Sequence, residues 1–447
     1  MTILSSATPA RRDRWLVGWA LGYAAVGASS LVVPLYAIEL GANALFVGLI
    51  AATAAFAGAP GAIIWGRLAA RTNRRRPFVL VALALTAGSL LVVAAVDSPI
   101  AVLGANTLLW FVVAAAAPVL NLIVVEGVSP DQWDRRFGVL NHYQGYGWLA
   151  GLVVGALWSA VAPRVLALDA LGVQRWFLVA SGAVAALGAL LVRVWYPDRP
   201  TVSARRFARL SAGIRRQSGL IGRSVRAVPY GPSRMYWALQ ELDVADLRAR
   251  ASPDLLRYLA AATLFFVGFS VFFGPLPAYL ISSGQSADAV FVLFVLSSLG
   301  SAVSYARVGA LAATRDSRQL QVGALATRGL AFPLVALVGT YLTGGTGLVV
   351  LGATFFVIGI TWAVIAVTAT GMVTRLAPGR IRGEALGAYT ALASLGGGVG
   401  AALGGVVATE LGYISAFGLA GTIVVSALVV VWVSGENAVA GQFASAE

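Results

Sequence analysis

The chain of 447 residues has no cysteine, no lysine and a single histidine, His142. Without cysteine it can form neither disulfides nor thiolate metal sites, and one histidine cannot build a multi-histidine site. A phosphate-binding loop of the GxxxxGK[ST] type needs a lysine, so an ATP-driven motor of that type is excluded. The apolar segments also lack paired carboxylates and a nucleophile elbow. We therefore expect no enzymatic activity, no metal and no cofactor.

Charge is scarce as well. Charged residues make up 11% of the chain, hydrophobic residues make up 59%, and the mean hydropathy is +0.84. Soluble domains do not have this composition. A run of about 20 apolar residues can cross a hydrocarbon core about 30 Å thick, and the sequence holds about twelve such runs. The predicted spans are 15–39, 44–69, 78–97, 100–126, 138–162, 175–196, 257–282, 287–307, 320–342, 347–373, 384–409 and 412–434.

The basic residues are distributed unevenly between the predicted loops. With an inner N-terminus and twelve spans, every arginine except Arg164 and Arg175 falls on or near the cytoplasmic side. This is the positive-inside pattern, so the net charge of +14 reflects orientation and does not require a nucleic-acid partner. We expect a multi-pass protein of the plasma membrane with both termini in the cytoplasm.

The sequence repeats itself at two fixed spacings. Pro34 and Tyr36 recur 243 residues later as Pro277 and Tyr279. A glycine series recurs 249 residues later: Gly138, Gly147, Gly151 and Gly155 correspond to Gly387, Gly396, Gly400 and Gly404. The four-residue spacing of the last three glycines in each series predicts close helix packing. Repeats of this kind indicate two related halves of a membrane protein, a construction common among secondary transporters.

The composition divides the chain into four regions. The predicted bundles are residues 1–196 and 257–435, separated by an arginine-rich cytoplasmic linker, 197–256, and followed by a cytoplasmic tail, 436–447. In the linker, apolar residues at helical spacing alternate with arginines. This pattern favours either an amphipathic helix on the anionic inner leaflet or a solvated tether between the bundles.

The loop between the second and third spans carries a recognisable motif. It reads Gly66-Arg67-Leu68-Ala69-Ala70-Arg71-Thr72-Asn73-Arg74-Arg75-Arg76. Together with the twelve spans in two halves, it resembles the major facilitator superfamily and its loop motif G-x-L-a-D-R-x-G-R-R. Ala70 stands in place of the aspartate, and Asn73 in place of the second glycine. The resemblance covers nearly the whole chain and implies an all-α membrane protein with twelve transmembrane helices in two six-helix bundles.

The resemblance also implies a gate on the cytoplasmic side. The implied gating residues are Gly66, Arg71, Arg74, Arg75, Glu126 and Glu384. We expect Glu384, at the inner start of the eleventh span, to replace the carboxylate missing at Ala70 by pairing with Arg71 or Arg67. The alternative is that these charges only mark the membrane boundary.

By the same resemblance, spans one, four, seven and ten face a central cavity. Helical spacing puts Asn106, Trp110 and Asn121 on one face of span four, where amides need partners that lipid cannot supply. The other candidate substrate-binding residues are Tyr146, Phe269, Phe273, Thr361 and Trp362. For the phenylalanines, helix packing is the alternative.

His142 shares a helical face with Tyr146 near the inner end of span five. It is a candidate proton site, and its alternative role is that of a hydrogen-bonded packing residue. The carboxylates near the spans lie close to their ends, so coupling to protons stays open.

These features predict a secondary transporter for a small neutral or amphiphilic organic solute, with efflux favoured over uptake of a neutral metabolite such as a sugar. The preference for a neutral solute depends on the absence of a buried arginine, because Arg328 lies in span nine, which is expected to be peripheral. The rival interpretation is a membrane sensor or scaffold that does not transport. The expected partners are the solute and membrane lipids, without nucleic acid, and the protein is expected to be a monomer.

Overall fold

The computed structural model describes residues 13–71, 75–125, 133–196, 251–342, 344–377 and 382–433. In these ranges the chain forms α-helices and turns, with no β-strand. The helices are α1 (Trp15–Glu39), α2 (Ala44–Arg71), α3 (Arg76–Ala95), α4 (Pro99–Val125), α5 (Trp133–Val165), α6 (Ala170–Trp195), α7 (Pro253–Phe273), α8 (Leu276–Ser282), α9 (Ala287–Thr314), α10 (Ser317–Tyr341), α11 (Gly344–Leu376) and α12 (Arg382–Val433). We call α1–α6 the N-terminal half and α7–α12 the C-terminal half.

Ten segments of the described chain are long and apolar enough to cross a membrane, which confirms the prediction of an all-α membrane protein. Helices α7 and α8 belong to one such segment, Pro253–Ser282, and are separated only at Gly274 and Pro275. The start of α2, Ala44–Gly58, is a shorter apolar helix. The count of twelve spans stays a prediction. It agrees with these helices when α7 and α8 are counted as one span and α12 as two, because α12 contains two antiparallel segments.

The two segments of α12 meet at Gly412, whose φ of 83° lies in the left-handed region. Four contacts with α7 and α8 establish their directions: Thr263 with Gly396, Val271 with Gly404, Gly268 with Val424, and Tyr279 with Tyr413. In the first two, residue numbers rise together, so the segment before Gly412 runs parallel to α7. In the last two they run in opposite directions, so the chain reverses at this glycine.

Each half contains a close contact between its first helix and a glycine of the repeated series. In the N-terminal half, a Cβ atom on Gly151 would lie 2.1 Å from the carbonyl oxygen of Ala24 in α1. In the C-terminal half, a Cβ atom on Gly400 would lie 2.3 Å from the carbonyl oxygen of Val267 in α7. Ala24 and Val267 are themselves 243 residues apart. The predicted close packing is therefore confirmed, since only glycine allows these backbones to approach so closely.

The repeat extends to the turns that end the first helix of each half. Gly41 and Gly284, also 243 residues apart, have φ values of 90° and 84°. Their amides donate to the carbonyl oxygens of Ile38 and Ile281 at 2.9 and 3.0 Å. Glycine adopts this left-handed conformation without the steric cost that a Cβ atom brings. The two turns lie on the same side of the protein, away from residues Trp15 and Val433.

The repeated tyrosines tie each of these helix ends to a neighbouring helix. Tyr36 donates its hydroxyl hydrogen to the carbonyl oxygen of Val96, at 2.8 Å. Tyr279 donates to that of Ala336, at 2.6 Å. The halves differ in the next contact, because Arg175 donates to the hydroxyl oxygen of Tyr36 at 3.0 Å. The repeat thus preserves a packing role while the polar surroundings have changed.

The halves contact each other on the side that carries the two glycine turns. The amide of Leu45 in α2 donates to Oγ1 of Thr409 in α12, at 2.9 Å. One turn further along α2, a Cβ atom on Gly48 would lie 2.5 Å from the carbonyl oxygen of Ala401 and 2.8 Å from Cα of Gly405. No side chain separates these two backbones, so the halves are tightly closed here.

A second contact between the halves joins α5 and α9. A Cβ atom on Gly155 would lie 2.5 Å from the ring of Phe291, which is fully buried. Phe291 and Gly48 are 243 residues apart, so this contact is the counterpart of the one between α2 and α12. In the contact of α2 with α12, Gly48 packs against small residues, whereas in the contact of α5 with α9, Gly155 packs against an aromatic ring.

Candidate substrate-binding site

An aromatic cluster lies between α7, α11 and α12. The ring of Trp362 is 6.4 Å from the rings of both Phe266 and Phe269, centroid to centroid, and Phe266 is 5.8 Å from Tyr389. The interplanar angles are between 60° and 74°, the tilted and edge arrangements that aromatic rings prefer. Two of the predicted substrate-binding residues, Phe269 and Trp362, therefore lie together.

Arg328 of α10 extends into this cluster. Its Nε atom donates to Oγ1 of Thr361 and its Nη2 atom donates to the carbonyl oxygen of Ile358, both at 3.0 Å. Its guanidinium carbon is 4.2 Å from the ring centroid of Phe269 and 5.5 Å from that of Trp362. The arginine thus connects three predicted substrate-binding residues across α7, α10 and α11.

The burial of Arg328 corrects the expectation that no arginine is buried within the spans. Only 2% of the residue is exposed. Along α10 the buried residues recur at helical spacing: Gln321, Leu325, Arg328, Phe332 and Val335. This periodicity is visible in the sequence and could have placed the arginine on the inward face. The peripheral position of span nine is implied by the resemblance and does not determine which of its side chains face inward.

A buried guanidinium requires compensation from its surroundings. Taking such a charge out of water costs on the order of several kcal/mol. Hydrogen bonds to a charged group return about 1.5–3 kcal/mol, and each desolvated cation–π contact returns up to about 2 kcal/mol. Phe273 and Phe332 add ring contacts at 6.0 and 5.9 Å. This environment is suited to holding a positive charge inside the membrane.

The candidate residues of α4 have different surroundings. Trp110 is half-buried, and its ring lies 6.4 Å from that of Trp148 in α5. Asn106 is buried and donates from Nδ2 to the carbonyl oxygen of Ile50 in α2, at 3.3 Å. The amide of Asn106 thus joins two helices of one half. The place of Asn121 in a binding site stays a prediction; the residue belongs to α4.

Tyr146 and His142 lie on an exposed stripe of α5. Their rings make an edge contact with centroids 4.3 Å apart, and Tyr146 is 62% exposed. The same stripe continues with the exposed apolar side chains of Val153 and Leu157. Within the described residues, the ring of His142 contacts those of Tyr143 and Tyr146, and Trp110 and Trp362 make their ring contacts with other residues. Their roles in substrate binding and proton transfer stay predictions.

Four of the six predicted gating residues lie within the described ranges. Gly66 and Arg71 belong to α2, and Glu384 belongs to the first turn of α12. Arg75 precedes α3 and is 6% exposed. Arg74 and Glu126 lie outside the described residues, as do linker residues 197–250 and the tail 436–447. The gate therefore stays a prediction. In the described ranges no three His, Asp or Glu residues form a possible metal site.

Comparison with known proteins identifies the family. Residues 15–370 match the family described as Major Facilitator Superfamily. A curated relative is the putative niacin/nicotinamide transporter NiaP of Bacillus subtilis (strain 168), which is 25% identical over 188 residues. That match covers 41% of this chain and 43% of the relative, so the chain spans less than half the length of the curated relative in this alignment.

Solved structures share the fold over almost the whole chain. A mutant form of the nucleoside transporter NupG has a TM-score of 0.69 at 14% identity, covering 95% of this chain and 100% of that one. The human organic anion transporter MFSD10 (TETRAN) has a TM-score of 0.54 at 18% identity, covering 95% and 100%. At these identities the likeness concerns the fold alone. With the family match over residues 15–370, the chain belongs to the major facilitator superfamily and is a membrane transporter, not an enzyme.

Proposed function

We propose that this transporter moves a small organic solute that contains a planar aromatic ring, by alternating access between its two halves. The observation that carries the proposal is the cluster of Phe266, Phe269 and Trp362, with the pair of Trp110 and Trp148 in the other half. Tryptophan and phenylalanine rings offer a flat solute stacking and edge contacts at little cost in side-chain entropy.

The names of two relatives agree with this class of solute. Niacin and nicotinamide contain a pyridine ring, and nucleosides contain a heteroaromatic base. A sugar has no π-face and can offer only the C–H groups of its ring to these side chains, so an aromatic solute makes fuller use of the stacking and edge contacts. The preference for a neutral solute also loses its basis, because it depended on the absence of a buried arginine.

Flux into proteoliposomes tests the proposal. We expect labelled nicotinate, nicotinamide or a nucleoside to be transported, and glucose not to be. Trp362→Ala should lower the rate about tenfold, because a buried aromatic contact contributes on the order of 1.4 kcal/mol. Trp176, 55% exposed on α6, provides the matched control, and Trp176→Ala should leave the rate unchanged.

The same assay measures the direction and coupling of transport. Efflux, favoured by the sequence, predicts a faster rate when the solute starts on the side that carries residue Trp15. A dependence on an imposed pH gradient would support proton coupling. If folded protein transports neither neutral nor anionic aromatic solutes, the proposed solute class is wrong.

We also propose that the protein lies in the plasma membrane with both termini in the cytoplasm. The distribution of arginines supports this orientation. In that orientation the closed contacts of α2 with α12 face the outside. Because the chain has no cysteine, Ser286→Cys introduces a single thiol in the turn before α9. A membrane-impermeant maleimide should label it in intact cells, and labelling only after lysis would reverse the orientation.

A further inference from the structure

Arg328 is held in a fixed orientation at the centre of the C-terminal half. Thr361 and Ile358 accept hydrogen bonds from two different nitrogens of the guanidinium, which sets the plane of the group. Thr361 is held in turn, since its Oγ1 donates to the carbonyl oxygen of Ile358 at 2.8 Å. The ring of Phe269 lies over the guanidinium at 4.2 Å. The charge is therefore oriented before any solute arrives.

Packing alone does not explain a charge at this position. Replacing a buried charge by an apolar residue of similar volume is often neutral or stabilising, so leucine or methionine would serve a packing role at least as well. Charged residues in the interior of membrane proteins commonly mark the path of a substrate or an ion. A guanidinium also stays charged at every physiological pH, so Arg328 is a permanent cation rather than a proton carrier.

The surroundings of Arg328 indicate what kind of group it can receive. A planar guanidinium fork matches the geometry of a carboxylate, to which it can donate two parallel hydrogen bonds. Such a charge-assisted pair is stronger than a contact with an aromatic face. The rings of Phe269 and Trp362 can therefore hold the cation while the site is empty and give way to an anion when the solute binds. Because Arg328 is 2% exposed, binding requires these rings to move.

We propose that Arg328 recognises an anionic group, a carboxylate, on the aromatic solute. This inference rests on the proposed function and narrows it, since it assigns the ring of the solute to the cluster of Phe266, Phe269 and Trp362 and its acid to α10. The solute class is then a small aromatic carboxylate rather than a neutral compound.

Matched pairs of ligands test the assignment, because the members of each pair differ mainly in one charge. The pairs are nicotinate with nicotinamide and benzoate with benzamide, and binding is measured by thermal stabilisation of the purified full chain. We expect the wild type to bind each carboxylate at least about tenfold more tightly than its amide, the lower range for a hydrogen bond to a charged group.

Three variants distinguish recognition of the acid by Arg328 from a purely structural role of this residue. Arg328→Gln should bring the ratio of the two affinities close to one, whereas Arg328→Lys should retain part of the preference. Arg318→Gln is the matched control on the same helix. The guanidinium carbon of Arg318 lies 5.0 Å from the ring centroid of Trp432, and this variant should leave the ratio of affinities unchanged. If Arg328 had only a structural role, Arg328→Gln would weaken the binding of both members of each pair equally and leave the ratio of their affinities unchanged.

The assignment is wrong if the wild type shows no preference for carboxylates, a result that needs no folded variant. It is also wrong if Arg328→Gln keeps the preference. Its failure is distinguishable from that of the proposed function. Transport of the amides at the rate of the carboxylates would reject the role of Arg328 alone, whereas absence of transport for every aromatic solute would reject both.

Discussion

Gly151→Val is expected to destabilise the N-terminal half strongly. The Cβ position at Gly151 lies 2.1 Å from the carbonyl oxygen of Ala24 and 2.7 Å from the amide nitrogen of Ala28. Both are backbone atoms, so no side-chain rotation can relieve the overlap, and α1 and α5 must separate. Overpacking of a well-packed interior typically costs about 1–3 kcal/mol, and we expect at least about 3 kcal/mol for a β-branched residue at this contact.

Such a cost is a large part of the roughly 5–15 kcal/mol that stabilises a typical protein. The measurement is the thermal unfolding of the purified protein in detergent, together with the yield of monodisperse material. Gly145 provides the control within α5, because nothing lies within 4 Å of its Cβ position. Gly145→Val should unfold near the wild-type temperature. If both variants unfold at the same temperature, the close approach of α1 and α5 is not the reason that position 151 requires glycine.

The same test applies to the other half. Gly400→Val places its first atom 2.3 Å from the carbonyl oxygen of Val267, whereas Gly418 in the last segment of α12 has nothing within 4 Å of its Cβ position. Because the two contacts are related by the repeat, we expect the 400 and 151 variants to lose stability to a similar degree, with Gly418→Val as the control.

The glycine spacing was informative in the sequence because its physical cause is local and strict. A backbone in direct contact with another backbone leaves no room for a side chain, so glycine recurs every four residues on one face. The turns at Gly41 and Gly284 have an equally local cause, and the 243-residue spacing could have found them. Features of this kind determine most of the fold.

The candidate site was less accessible to sequence reasoning. Phe269, Thr361 and Trp362 were chosen from their spans, and the structure brings them together around Arg328. The periodicity of α10 places Arg328 on its inward face, but the sequence could not show which residues of α7 and α11 the arginine contacts, because that depends on how the three helices pack. Asn106 shows the converse, since an inward-facing amide satisfied by the carbonyl of Ile50 has the same helical spacing as a ligand-binding one.

Locking α2 to α12 is expected to abolish transport while leaving solute binding intact. The amide of Leu45 donates to Oγ1 of Thr409 at 2.9 Å, so these two positions are neighbours across the contact and a cross-link between cysteines placed there would join the halves. Alternating access requires the halves to separate at this contact when the solute passes to the other side. Oxidation of the double variant Leu45→Cys, Thr409→Cys should therefore reduce flux to the level of empty liposomes.

Because the natural sequence has no cysteine, each variant contains only the introduced thiols, and no other disulfide can form within the protein. A reductant should restore flux to the double variant, and neither single variant should respond to oxidation. Thermal stabilisation by the solute should persist in the oxidised protein, since the cross-link holds the halves as they already lie and leaves the aromatic cluster of α7 and α11 in place. Undiminished flux in the fully oxidised double variant would show that the contact of Leu45 with Thr409 does not open during transport.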